Sequence, residues 1–135
     1  MIRPSRIRFR FPRASRLNRA SEFNLVKTSG KSWTGRHLVL ATLVRNEGLR
    51  IGIITTRRIG SAVARNRVRR KIREIFRLNR PRIKSGYWLV TIARHSAANA
   101  SYTELEKDWL RLAERASILS SRANGPNPPD LIESV

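Results

Sequence analysis

The sequence predicts a small single-domain α+β sandwich, with helices packed on one face of a sheet. Three observations point there. Short runs rich in Leu, Val, Ile and Thr alternate with segments whose apolar residues recur at helical spacing. The 135 residues suffice for one modest core. No apolar run approaches the roughly 20 residues of a membrane span, and the absence of cysteine excludes a disulfide framework or a thiolate metal site.

The expected organisation is a flexible Arg-rich arm over residues 1–15, a folded domain over 16–119 and a disordered tail over 120–135. The first 16 residues hold six arginines and no acid, a composition shared by organelle transit peptides and by basic arms that gain order on RNA. Leu17 to Val26 has helical spacing, with Leu17, Ala20, Phe23 or Asn24, and Val26 near one side. Lys27 to Arg36 reads as a polar turn region with room for a short strand near Trp33. His37 to Val44 and Leu49 to Thr55 read as strands, and Asn46-Glu47-Gly48 supplies hairpin turn chemistry between them.

Gly60-Ser61 opens a second helix, with Ser61 as its N-cap, and Pro81 closes it by forcing the preceding residue out of helical geometry. Tyr87 to Ala93 is the most apolar segment and is expected to be a central strand. A strand–helix–strand passage of this kind can set two strands parallel. Ser101 and Glu104 form a capping-box pair for a last helix from Tyr102 to Leu119, with Leu105, Trp109, Leu112 and Ala116 on one face. The breaker run Asn124-Gly125-Pro126-Asn127-Pro128-Pro129 starts the tail.

Charge is the strongest functional signal. The formal net charge is +20, and Arg57 to Arg80 packs ten basic residues and one acid into a single helical segment. At about 100° per residue, Ser61, Ala64, Val68, Ile72, Ile75 and Phe76 fall on one side of it, and Asn66, Arg70, Arg73 and Arg77 almost opposite, flanked by Arg67 and Arg69. Such a helix is anchored to a core on one face and meets a polyanion on the other. Self-repulsion on this scale destabilises a compact fold, so the partner is expected to be nucleic acid rather than membrane. Arginine outnumbers lysine 24 to 5, which suits planar, bidentate phosphate contacts.

Catalytic chemistry is thinly represented. The nine acids are scattered, and the local group Glu104, Glu106 and Asp108 is explained by a helix start whose dipole favours acids, on an expected solvent face. His37 and His95 are isolated residues at expected strand ends. Gly30-Lys31-Ser32 lacks the earlier glycine of a phosphate-binding loop. The residues therefore describe a protein that binds nucleic acid and is poorly equipped to cut it alone. An RNA-binding protein of ribosomes or their assembly fits the same composition. A DNA-binding helix fits less well, because no helix-turn-helix partner is visible.

The run Arg57-Arg58-Ile59-Gly60-Ser61-Ala62-Val63-Ala64-Arg65-Asn66-Arg67-Val68-Arg69-Arg70-Lys71-Ile72-Arg73-Glu74 resembles the signature of the bacterial ribonuclease P protein component. Arg16-Leu17 with Phe23 and Val26 is similar to that family's first helix. Tyr87 to Arg94 resembles its last strand, and Ser101-Tyr102 with Glu104-Leu105 the start of its last helix. The likeness spans about residues 16–118.

It implies an αβββαβα sandwich with a left-handed βαβ crossover, against the usual hand. It also implies a cytoplasmic ribonucleoprotein with one protein per RNA, in which the RNA and Mg²⁺ remove the 5′ leader of precursor tRNA. The protein would hold the catalytic RNA and the leader, with no metal of its own. By the same resemblance, Arg57, Arg58, Arg65, Asn66, Arg67, Arg69, Arg70, Lys71, Arg73 and Arg77 match the RNA-binding motif, and Phe23 and Thr56 a leader cleft between first helix and sheet. Thr55-Thr56-Arg57-Arg58 stands where Val-Ser-Lys-Lys is usual, and Lys27 and Ala41 stand where the family often has aromatics. Fewer rings and more charge imply less base stacking and more phosphate contact.

Overall fold

The computed structural model describes residues 16–17 and 19–120. The arm over 1–15 and the tail beyond residue 120 lie outside the described residues. Helix α1 (Ala20–Ser29) is followed by strands β1 (Lys31–Thr34), β2 (Leu38–Val44) and β3 (Arg50–Ile54), helix α2 (Ala62–Asn79), strand β4 (Tyr87–Ala93) and helix α3 (Tyr102–Arg115). This is the expected αβββαβα order, including the short strand around Trp33.

The four strands lie in the order β1-β2-β4-β3. β4 runs antiparallel to β2, with Leu40 opposite Thr91, and parallel to β3, with Gly52 opposite Val90. β4 is therefore central, as its continuous apolar run required. The expected hairpin between β2 and β3 does not form, because β4 sits between them. Residues 45–49 step over the start of β4, where the Arg45 N–H donates to the Gly86 carbonyl at 2.8 Å. Spanning two interstrand spacings takes about 10 Å, well within reach of five residues. The turn chemistry at Asn46-Glu47-Gly48 reverses the chain direction without pairing its two ends.

Side chains alternate across the strands and build two cores. One cluster holds Leu38, Leu40, Ile51 and Leu89 from the sheet, with Val68, Ile72, Ile75 and Phe76 of α2 and Leu105, Trp109 and Leu112 of α3. The other holds Ala41, Trp88 and Val90 with Leu17 and Val26, and Phe23, Ile54 and Ile92 pack against it. Helices thus cover both faces: α2 and α3 one, α1 the other. The one-face sandwich expected from the sequence is corrected here, since β4 is apolar at odd and even positions alike and needs cover on both sides.

α1 starts three residues later than its periodicity suggested and ends three later. Leu17 is drawn into extended pairing, its N–H donating to the Ile51 carbonyl at 2.8 Å, so the helix begins only at Ala20. Arg50 binds Glu22 at 3.1 Å and the Arg16 carbonyl at 2.8 Å, tying α1 to β3. A partly exposed ion pair contributes about 1 kcal/mol or less, whereas burying Val26 alone contributes about 1.5–3 kcal/mol. Apolar contact therefore decides where α1 docks.

Gly52 is where this docking is closest. A Cβ there would lie 2.4 Å from Phe23 Cε1 and 2.7 Å from Cζ. Gly52→Val is expected to force the Phe23 ring off the sheet, costing about 1–3 kcal/mol from overpacking. Urea denaturation measures this, and an unchanged midpoint would mean that α1 shifts freely.

α3 ends at Arg115 rather than Leu119. Ser117 takes a left-handed conformation with φ of 60°, after which Ile118 is fully buried and Leu119 bridges Ile83. The conformational cost of about 1–2 kcal/mol is offset by burial of the Ile118 side chain. Ser120, expected in the tail, donates its N–H to the Arg82 carbonyl at 2.7 Å.

Candidate nucleic-acid interface

α2 begins as its sequence required. The Ser61 hydroxyl accepts from the Ala64 N–H at 3.1 Å, and just before it the Thr56 hydroxyl caps a short 3-10 turn over Arg57–Ile59 by accepting from the Arg58 N–H. Val68, Ile72, Ile75 and Phe76 are buried, so the opposite face is held outward by the core itself.

The basic side chains of α2 divide into two groups. Arg65 donates to the Gly60 carbonyl at 2.8 Å, Arg69 to the Thr55 hydroxyl at 2.8 Å, and Lys71 to the Ala100 carbonyl at 3.0 Å. Arg77 pairs with Glu74, which raises the arginine pKa and lowers that of the carboxylate, chiefly through their mutual hydrogen bond. These four stitch α2 to itself and its neighbours. Asn66, Arg67, Arg70 and Arg73 are exposed, as are Arg57 and Arg58 on the preceding turn. The Arg73 guanidinium is held below the ordinary arginine value, first by desolvation and then by repulsion from Arg16, Arg69 and Arg70. Arginine stays charged regardless, so the crowding remains as electrostatic strain that a polyanion would relieve.

β3 and β4 are parallel, so their C-terminal ends meet at one edge, where α/β sheets commonly hold ligands. A cavity of about 880 Å³ opens there, lined by Arg36, Thr56, Arg57, Arg58, Ile92, Ala93, Arg94, His95 and Ser96. The structure brings Thr56, Arg57 and Arg58 together with Arg36, Arg94 and His95, three residues that the sequence reading did not assign to a binding site. The available signal was Arg94-His95 directly after the most apolar strand.

Phe23 does not line this cavity. It packs half-buried against the cluster under α1, its ring over Gly52, and Ile92, which lines the cavity, packs against the same cluster. Ala41 is buried on the same face, and Lys27 is exposed near the end of α1.

His37 is buried, its Nδ1 lying 2.8 Å from the Ser96 hydroxyl, while His95 is exposed. The two histidines thus sit in unlike settings. Asp108 is not on a solvent face as expected; it is 2 % exposed and accepts hydrogen bonds from three backbone N–H groups of the β1–β2 connection. Its turn inward also breaks up the acidic group at the start of α3. Among the described residues, no three His, Asp or Glu side chains gather to hold a metal, and no helix is long and apolar enough to cross a membrane.

A family model for ribonuclease P matches residues 11–117. The chain belongs to the ribonuclease P protein family. It is 37% identical over 119 residues to the ribonuclease P protein component of Chloroflexus aggregans, covering 87% of this chain and 88% of that one. The Clostridioides difficile component is 38% identical over 110 residues, covering 80% and 96%. Among solved structures, the ribonuclease P protein of Staphylococcus aureus superposes with a TM-score of 0.72 at 25% identity, over 79% of this chain and 99% of that one. That of Thermotoga maritima gives 0.68 at 30% identity, over 74% and 96%. Membership in the ribonuclease P family ties the chain to a tRNA-processing ribonuclease complex and to partnership with its RNA.

Proposed function

We propose that this chain is the protein subunit of a bacterial ribonuclease P, binding the catalytic RNA and the 5′ leader of precursor tRNA so that the leader is removed to give the mature 5′ end. The observation that carries this reading is the exposed row Asn66, Arg67, Arg70 and Arg73, set outward by the buried face of α2. These four, with Arg57 and Arg58, are the primary RNA contacts. Arg65, Arg69, Lys71 and Arg77 contribute charge to the same field while holding the helix in place. The leader runs between α1 and the sheet past Phe23, where a base stacks with about 1–3 kcal/mol, and reaches the cavity at Thr56.

In this reading Mg²⁺ is assigned to the RNA and the substrate and no catalytic residue to the protein, in keeping with the scattered acids among the described residues. Bound there, Mg²⁺ would supply stabilisation of the charge developing at the reacting phosphate. The protein's part is to bind, to orient the leader and to neutralise crowded phosphates, which lowers the cation concentration the RNA needs.

The test combines the protein, a bacterial ribonuclease P RNA and a precursor tRNA at Mg²⁺ too low for the RNA alone. Cleavage at the mature 5′ end that requires both components is expected. Tight RNA binding without rescue would leave a general RNA-binding protein of ribosomal particles. Cleavage by the protein alone at the same Mg²⁺ would overturn the division of labour.

A further inference from the structure

We infer that Asp108 is a positioning residue that presents Arg36 to a substrate phosphate in the cavity at the ends of β3 and β4. The inference rests on the reading of that cavity as the end of the leader path. Asp108 lies nearly two turns into α3, yet its carboxylate reaches under the connection between β1 and β2. Oδ1 accepts from the Arg36 N–H at 3.1 Å, and Oδ2 from the His37 and Leu38 N–H groups at 2.8 and 3.0 Å. Three successive amides gathered on one buried carboxylate fix the backbone at Arg36, because charge-assisted bonds of this kind are short and directional. Gly35 makes the approach possible: a Cβ there would stand 2.7 Å from both carboxylate oxygens.

The same connection is held from the cavity side. Arg94 Nη1 donates to the Gly35 carbonyl at 2.6 Å, and the Ser96 hydroxyl donates to the Arg36 carbonyl at 3.1 Å. The Arg94 N–H donates to the His37 carbonyl at 2.8 Å. Arg36 itself is exposed and lines the cavity with Arg57, Arg58 and Arg94. An acid inside a strongly cationic protein would weaken anion binding if it faced the cavity. Buried beneath the loop and paired with Arg111 at 3.6 Å, it orders the loop instead.

The experiment measures precursor cleavage by the reconstituted holoenzyme with wild type, Asp108→Asn, Arg36→Ala and the double variant. Arg36→Ala and Asp108→Asn are each expected to raise the precursor concentration for half-maximal cleavage about tenfold, as for loss of one charged hydrogen bond. The limiting rate, the affinity for the catalytic RNA and the affinity for leaderless tRNA should not move. The double variant should be no worse than Arg36→Ala, since residues that act as a unit do not add. Additive losses, or equal loss of catalytic-RNA affinity, would overturn the inference in favour of a purely structural Asp108.

Should Asp108→Asn fail to fold, Ser96→Ala removes the second anchor of the Arg36 backbone and enters the same cycle, with the same two outcomes. A wild-type protein that gives the RNA no activity sinks the functional reading alone. The cycle then runs on affinity for a single-stranded RNA oligonucleotide, where additivity again rejects the role of Asp108.

Discussion

Alanine at Arg67, Arg70 and Arg73 together is expected to abolish most of the salt-dependent affinity that α2 gives the chain for its RNA. Each phosphate contact adds about 0.9 to the slope of log affinity against log salt, so three lost contacts flatten it by about 2.7. The deficit against wild type should then shrink about fortyfold between roughly 50 and 200 mM salt. Lys71→Ala and Arg77→Ala are the informative comparison. Their head groups are turned to the Ala100 carbonyl and to Glu74, so each should leave the slope near that of wild type. The triple variant should also melt no lower than wild type in the absence of RNA, because it relieves the repulsion around Arg73. Filter binding over a salt series decides the matter, and an unflattened slope would mean that these side chains do not meet phosphate.

Trp109→Ala is expected to cost about 3–5 kcal/mol and to lower Tm by on the order of 10 °C. Trp109 is fully buried, packs edge-on against Phe76 with ring centroids 5.4 Å apart, and donates its indole N–H to the Thr91 hydroxyl at 3.2 Å. It therefore ties α3 to both α2 and the central strand. Domains of this size hold about 5–15 kcal/mol of stability in total, and the net charge lowers that for the free protein. Trp109→Phe keeps most of the ring but strands the Thr91 hydroxyl, which should cost about 1–3 kcal/mol. Calorimetry of the free protein reads both. Equal losses for the two variants would show that the hydrogen bond, rather than the ring, dominates at this site. RNA should restore part of the lost Tm in either case, to the extent that it binds the folded form more tightly than the unfolded one.

Much of the basic surface of α2 was legible from the chain itself. The Ser61 cap and the stripe Val68, Ile72, Ile75 and Phe76 follow from local rules and appear where those rules put them, whereas Arg80 keeps helical backbone angles before Pro81 and the chain leaves α2 through a short 3-10 turn over Arg80–Arg82. Strand extents came out within a residue or two for the same reason. The cavity was not legible, because Arg36, Thr56 and Arg94 come from three connections that meet only when β3 and β4 lie side by side. Nor was the role of Asp108, since an acid in an amphipathic helix reads as solvent-facing unless something across the fold supplies donors.

By itself, then, the sequence determined what depends on neighbours along the chain: which segments are helix or strand, where the basic helix begins and ends, and which of its faces is apolar. Its signature run also carried the family. The tertiary structure alone decided which strand lies between β2 and β3, that the sheet is covered on both faces, and which cations of α2 bond to carbonyls, hydroxyls and Glu74. The physical reason is that periodicity encodes which side of an element must leave water but not what it will meet there. Pairing partners, and the polar groups that claim a buried carboxylate or a half-buried arginine, are separated by tens of residues and are chosen by the packing of the whole sheet.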